Sequence, residues 1–429
     1  VIAQKYINGD TAVKIAASIE AAISRGALAN GQRLPAVRET AQALGVSPAT
    51  VAAAYRALQQ RGVIVSDGRR GTRVRAATPV SAPPPPPLAG DVRDLASGNP
   101  DLALLPDAFE QRPYRDDLND ERLIVAARQQ FEADAIPAAH IAIVSGALDG
   151  VERVLREHLR PGDRVAVEDP CFTGIVDLLA SLALIAVPVP VDDEGLLPDP
   201  LRRALKSAQA LIVTPRAQNP TGAAITPKRA RALRRVLAAF PQTLVIEDDH
   251  AGPIAGAPYV TLVHARERWA VVRSLSKSLG PDLRVALLAG DASTVARVEG
   301  RQSLGIRWVS HILQRIAADL LCSRNTQRLL ARASKAYRER REALLRELAR
   351  RGVAAHGVSG LNVWIPVAHE SAVAQSLMAR GWAVNAGERY RIASGPAIRV
   401  TVATLEPRDA ALFADDLASV LRGSTTRAA

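Results

Sequence analysis

Three stretches before Gly62 repeat apolar residues three and four positions apart: Ile15, Ile19 and Ile23, then Val37, Ala41 and Leu44, then Val51, Tyr55 and Leu58. That spacing lines one face of a helix. Pro35 announces the second stretch and Gly45 closes it, while the third opens at Ser47 with Pro48 at the first helical position, a strong start signal. The Gly45-Val46 link is as short as the turn of a helix-turn-helix. Past Gly62 the pattern becomes strand-like: Val63 to Val65 and Thr72 to Arg75 predict two short strands around Asp67-Gly68, a hairpin wing carrying Arg69, Arg70 and Arg73. Between Ala76 and Asp91 the chain contains five consecutive prolines, Pro83 to Pro87, a composition that favours polyproline II and makes a semi-rigid spacer. A ligand for a proline-binding domain is the alternative reading of that run.

From Asp91 onward helical stretches alternate with short apolar runs: Arg164 to Glu168, Leu184 to Val191, Leu211 to Thr214, Leu244 to Glu247, Ala270 to Arg273 and Val285 to Ala289. Alternation of this kind predicts an α/β sheet, mostly parallel, with ligand chemistry at the strand ends.

Composition narrows the classes. At 429 residues, 48% hydrophobic and 23% charged, the chain is long enough for two or three globular domains. Cys171 and Cys322 lie far apart with no cysteine or histidine at metal-ligand spacing. This predicts neither disulfide nor metal site and fits a reduced compartment. The absence of a signal pattern, and of any window near eighteen apolar residues, predicts a soluble cytoplasmic protein with no membrane partner. The net charge of +12 is uneven, since residues 1–75 hold eleven Lys/Arg against four Asp/Glu. A basic head suits phosphate neutralisation on DNA, although solubility alone also explains a surplus of this size.

The polar motifs of the body match what a pyridoxal phosphate site requires: a lysine for a Schiff base, a carboxylate for the pyridine nitrogen, a stacking ring, a donor to the phenolic oxygen and a phosphate cup. Ser145-Gly146-Ala147 precedes a helix whose first amides suit phosphate. Glu168-Asp169-Pro170-Cys171-Phe172 ends a strand on an aromatic, and Asn219-Pro220-Thr221-Gly222 places an amide in a turn. Glu247-Asp248-Asp249-His250 closes a strand with carboxylates, and Ser274-Leu275-Ser276-Lys277 with Arg284 completes the set.

Two resemblances follow. Gly31 to Glu39, Leu44 to Val51, Ala54 to Leu58 and Gly71-Thr72 resemble the GntR family of winged-helix regulators. This implies that Arg38, Ser47, Thr50, Arg56, Arg70 and Gly71 face double-stranded DNA, with Arg38 and Arg56 on phosphates. Many members carry an arginine where this chain has Pro48. The body resembles class I aminotransferases of fold type I. This implies that Lys277 carries pyridoxal 5'-phosphate as a Schiff base, Asp248 pairs with the pyridine nitrogen, Asn219 binds the phenolic oxygen and Phe172 stacks. It further implies that Ser145, Gly146, Ala147, Ser274, Ser276 and Arg284 hold phosphate. Arg399, in Ala397 to Thr401, resembles the arginine that clamps a carboxylate, with a structural ion pair as its alternative. Asp249 is the alternative pyridine partner one register away. Where the fold usually has a tyrosine that donates to the phenolic oxygen, this chain has His250, which the resemblance implies is a cofactor-binding residue that titrates near neutrality, a weaker or switchable donor. The segment Tyr114 to Leu123 also lacks the usual glycine after the tyrosine, and the two departures together imply intact cofactor binding without efficient transamination.

A GntR head on an aminotransferase-like body resembles the MocR (PdxR-like) subfamily. The resemblance implies a winged helix-turn-helix head at 1–75, a Pro-rich linker at 76–90 and a body at 91–429, with a large part at about 120–310 and a small α+β part at about 311–422. Strings at Ala96 to Asp101, Leu104 to Asp107, Thr214 to Pro220, Asp248 to His250 and Trp308 to His311 resemble regulators of vitamin B6 salvage. The function implied is a homodimeric transcriptional regulator responsive to pyridoxal phosphate, with an amino compound or B6 vitamer as effector. An aminotransferase with a tethered head is the alternative. A body kept only for dimerisation is a third reading.

Overall fold

A computed structural model describes residues 4–24, 27–29, 31–60, 63–66, 71–74, 92–95 and 118–425. Arg69, Arg70, the proline run, the strings Ala96 to Asp101 and Leu104 to Asp107, and Tyr114 to Asp117 lie outside these residues.

In the head, the three predicted helices form as α1 (Ala12–Ser24), α2 (Val37–Leu44) and α3 (Pro48–Gln60). Ile15, Ile19, Ala41, Val51, Tyr55 and Leu58 are buried in one core. The α2 stripe is narrower than the sequence suggests, because Val37 and Leu44 sit at the core's margin while Thr40 is buried beside Ala41. Thr40 is tolerated there because its hydroxyl pairs with that of Tyr55 at 3.2 Å, and Tyr55 in turn donates to the Pro35 carbonyl at 3.0 Å. Gly45 ends α2 at φ 66°, a left-handed cap natural to glycine. Ser47 caps α3 by accepting from the Thr50 amide at 3.1 Å.

The wing strands are β1 (Ile64–Ser66) and β2 (Thr72–Val74), paired antiparallel with Val65 opposite Arg73. A third segment adds to them: the Gly31 and Leu34 amides donate to Val74 and Thr72 carbonyls, and the Val74 amide donates to Gln32. A strand this short has no periodicity of its own, so the apolar pattern does not announce it.

The body begins with β3 (Arg93–Asp94) among the described residues. Its main sheet contains β4 (Ile141–Val144), β5 (Arg164–Asp169), β6 (Ile185–Asp192), β7 (Gly195–Leu196), β8 (Ala210–Val213), β9 (Leu244–Asp249), β10 (Trp269–Ser274) and β11 (Ala286–Gly290). The order is β4-β11-β10-β9-β8-β5-β6-β7. Pairs β5/β8, β8/β9 and β9/β10 are parallel, and β11 runs antiparallel to both neighbours. The six predicted strands are all present, each within a residue or two of its expected ends. Strands β5, β8, β9 and β10 are buried almost throughout, which is why they read as continuous apolar runs.

A smaller sheet, β12 (Asn362–Pro366), β14 (Asn385–Ala386) and β15 (Ala397–Thr401), runs in the order β12-β15-β14. Strand β13 (Trp382–Ala383) pairs with β3. This sheet shares a second core with Leu344, Leu348, Phe413 and Leu417. The architecture is therefore a winged-helix head plus an α/β body built on one large mixed sheet and one small sheet.

Candidate functional site

The parallel strands deliver their polar ends to one cavity of about 370 Å³. Asp248 and His250, two positions apart at the end of β9, both line it, as the two-residue period of a strand requires. Asp249, between them, faces elsewhere. Its carboxylate accepts from Arg216 Nε and Nη2 at 2.9 and 2.8 Å and from Arg273 Nε at 2.6 Å. Burial alone would push Asp249 up, but the two guanidiniums outweigh it and hold the carboxyl well below its usual range. Arg273 sits directly opposite Asp249 on β10, and it also pairs with Asp134.

Asp248 has the opposite environment. Its Oδ1 is buried with no hydrogen-bond partner among the described residues, and burial, followed by the charge of Asp249, pushes its pKa up to about 7. Glu168, at the end of β5, is likewise raised to about 8 by burial, with Gln218 Nε2 3.3 Å from its Oε2.

Lys277 lines the cavity from the short helix Ser276–Leu279 after β10, and burial, helped by the charge of Arg399, lowers its pKa to about 8. Ser274, Ser276 and Arg284 lie alongside. Ser274 Oγ accepts from the Ser276 amide at 3.2 Å and so keeps its own proton to donate, while Ser276 Oγ is buried without a partner among the described residues. Arg284 packs over Gly146, where a Cβ would fall 2.6 Å from Nη2 and where φ is +107°. The positive φ favours glycine there, while the guanidinium could shift to make room for a Cβ.

Ala147 and Leu148, at the start of the helix Ala147–His158, line the cavity, whereas Ser145 and Gly146 do not. The Ser145 amide is turned to Asp149 Oδ2 at 2.9 Å. Phe172 lines the wall, with space for its ring made by Gly174, whose Cβ would meet the ring at 2.6 Å.

Asn219 and Arg399 meet at the far end. Asn219 Oδ1 accepts from Arg399 Nη1 at 3.1 Å and from Asn362 Nδ2 at 3.3 Å. This orients the Asn219 amide nitrogen as the remaining donor. The Arg399 guanidinium stacks 5.0 Å from the Tyr390 ring. His250 Nε2 lies 2.7 Å from the Ala217 carbonyl. Asn362, Leu361, Leu148 and Pro281 complete the lining and were not among the sequence candidates. Asn362 reaches the cavity only because β12 pairs with β15, a long-range contact with no local signature. Among the described residues no cluster of His, Cys, Asp and Glu suits a metal ion, and no helix is long and apolar enough to cross a membrane.

On the head, Arg38 and Arg56 are exposed on α2 and α3. Ser47 and Thr50 join hydroxyls at 2.8 Å at the start of α3. Gly71 has φ +89°, and Arg33 lies where its Cβ would be, with Nε at 2.9 Å. Arg70 lies outside the described residues.

Asp248's raised pKa gives a signed stability effect in the cofactor-free protein. Between its unfolded value of 3.8 and about 7 the folded chain holds a proton that the unfolded chain releases, so stability falls as pH rises through that window. Asp248→Asn is expected to raise the melting temperature at pH 8 and to leave it nearly unchanged at pH 4. Thermal unfolding at the two pH values checks this.

Two family models match the chain: Aminotransferase class I and II over residues 120–417, and Bacterial regulatory proteins, gntR family, over residues 11–74. The chain is 40% identical over 434 residues to the vitamin B6 salvage pathway transcriptional repressor PtsJ of Salmonella typhimurium, covering 97% of this chain and 99% of the relative. It is 28% identical to the HTH-type transcriptional regulator TauR of Rhodobacter capsulatus, over 79% of each chain. Among solved structures, an archaeal alanine:glyoxylate aminotransferase shares the fold with a TM-score of 0.71 and 22% identity, covering 77% of this chain and 91% of that one.

Proposed function

Because the chain belongs to the MocR-type regulators, which join a gntR-family head to a class I and II aminotransferase body, we propose that it binds pyridoxal phosphate in the body cavity and thereby sets how its head engages an operator. The observation that carries this reading is Asp248 Oδ1, a buried carboxylate oxygen without a partner among the described residues, in the same cavity as a lysine lowered to about 8. A protonated pyridine nitrogen satisfies such an oxygen. The phosphate fits the basic, hydroxyl-rich corner of Ser274, Ser276 and Arg284 beside the Ala147 helix start. Asn219 donates its amide to the ring oxygen, Phe172 supplies the stacking face, and Arg399 takes a carboxylate. When bound, the cofactor supplies an aldehyde that links to an amine and a ring that withdraws electrons.

The target set is vitamin B6 salvage, supported by the likeness to PtsJ along nearly the whole chain. The partners in this reading are operator DNA, a second copy of the chain, and an amino-compound or B6-vitamer effector. A homodimer is supported by Leu304 and Ile306, apolar and 82% and 54% exposed after the helix Ala292–Ser303. An effector acts only by binding one head arrangement more tightly than another. The test is fluorescence anisotropy on DNA from upstream of the protein's own gene, with and without pyridoxal phosphate. A cofactor-dependent change in affinity is expected, and tight binding indifferent to cofactor would sink the sensor reading.

Arg38, exposed on α2, is assigned to a phosphate in this reading. Arg38→Ala is expected to weaken binding to all DNA sequences and to lower the salt slope by about one, with the cofactor spectrum unchanged. A titration at several salt concentrations checks it.

A second reading, an aminotransferase with an attached head, is favoured by the depressed Lys277 pKa together with Arg399 in the same cavity. It requires steady turnover with amino donors, lost in Lys277→Ala.

A further inference from the structure

The end of β9 places His250 where the fold usually has a phenol, and the surroundings of the imidazole decide which hydrogen bonds it can make. Its Nε2 lies 2.7 Å from the Ala217 carbonyl oxygen. A carbonyl oxygen only accepts, so Nε2 carries the proton and Nδ1 of the neutral ring has only a lone pair. No nitrogen-bound proton of the neutral ring is left for a ligand in the cavity that His250 lines.

We propose that His250 is a positioning residue that withholds a donor from the ring oxygen of pyridoxal phosphate, so that the bound cofactor keeps its shared proton at neutral pH, a state suited to sensing. This rests on the cofactor reading of the same cavity. A phenol at this position would donate to the ring oxygen and favour its deprotonated form. His250 does not, and the oxygen is left to the Asn219 amide, which the contacts of Oδ1 with Arg399 and Asn362 already orient.

Only protonation of the ring would supply a donor at Nδ1. Burial first, and the charges of Lys277 and Arg399, oppose that, while the Ala217 hydrogen bond and the charge of Asp249 favour it. The net effect lowers the pKa below the ordinary 6.5. The donor therefore emerges only in acid.

The experiment is a pH titration of the visible absorption of pyridoxal phosphate bound to the full-length protein, in wild type, His250→Phe and His250→Tyr. His250→Phe is expected to titrate within a few tenths of a unit of wild type, because no donor is lost. His250→Tyr is expected to titrate about one unit lower, the scale of one charge-assisted hydrogen bond. An upward shift of a unit or more in His250→Phe would show that the imidazole donates, and would overturn the proposal even if the tyrosine variant failed to fold. A wild-type protein with no visible band would overturn the cofactor reading itself, and this inference with it.

Discussion

Lys277→Ala is expected to abolish the visible band of bound pyridoxal phosphate and to erase any cofactor-dependent change in operator affinity, while affinity without cofactor stays within about twofold of wild type, since the head's own DNA contacts are untouched. The first half follows from the state of the amine. A pKa lowered from 10.5 to about 8 raises the uncharged, nucleophilic fraction at pH 7 by about 300-fold. Burial causes most of that shift and the Arg399 charge adds to it, so the cavity itself makes Lys277 reactive. The second half follows from distance in the chain: Lys277 belongs to the body's site, and the predicted DNA contacts belong to residues 38 to 71. Absorption spectra and anisotropy on the same preparations decide the matter. If Lys277→Ala still changes its operator affinity when cofactor is added, then phosphate and ring contacts suffice and a covalent link is not the signal.

Asp249→Ala carries the largest expected cost in stability. It removes the carboxylate shared by Arg216 and Arg273, both buried, and leaves two guanidiniums in the body's interior with Asp134 as their nearest acidic partner. Breaking a buried ion pair in this way costs about 3–5 kcal/mol. The pH dependence separates this residue from its neighbour. Asp249's folded pKa is depressed, so its contribution is present above the unfolded value of 3.8 and is lost only as pH falls through the lower folded value. The destabilisation should therefore be nearly constant from pH 5 to pH 8, whereas the effect of Asp248→Asn grows across that range. Denaturant unfolding at both pH values distinguishes them. A loss below about 1 kcal/mol at pH 7, in the range of an exposed pair, would contradict the buried clamp.

The opposite behaviour of Asp248 and Asp249 shows where local sequence stops being informative. The run Glu247-Asp248-Asp249-His250 announces a polar strand end, and the two-residue period says that adjacent residues face opposite ways. It does not say which way is the cavity. Arg273, delivered opposite Asp249 by the parallel pairing of β9 with β10, and Arg216, delivered by the turn after β8, decide it. Ser145 is a parallel case. Its place before a helix suggested a phosphate contact, but Asp149, one turn along the same helix, takes its amide instead.

By itself the sequence determined the elements and their class. Apolar spacing drew α1 to α3, Gly45 and Pro48 punctuated them, and uninterrupted apolar runs marked the buried parallel strands, because these signals depend on backbone geometry within a few residues. It also determined the chemical inventory, since Lys277, Asp248, Asn219, Phe172, Ser274, Ser276, Arg284 and Arg399 were all singled out and all line one cavity. Only the tertiary structure decided how that inventory is wired: that Asn362 turns Asn219, that the Ala217 carbonyl accepts a hydrogen bond from His250 Nε2, that Arg33 lies over Gly71, and that Gly31 to Leu34 extend the wing. Most of these contacts join residues tens to more than a hundred positions apart, where the partner is chosen by packing and pairing and leaves no periodic trace in the chain.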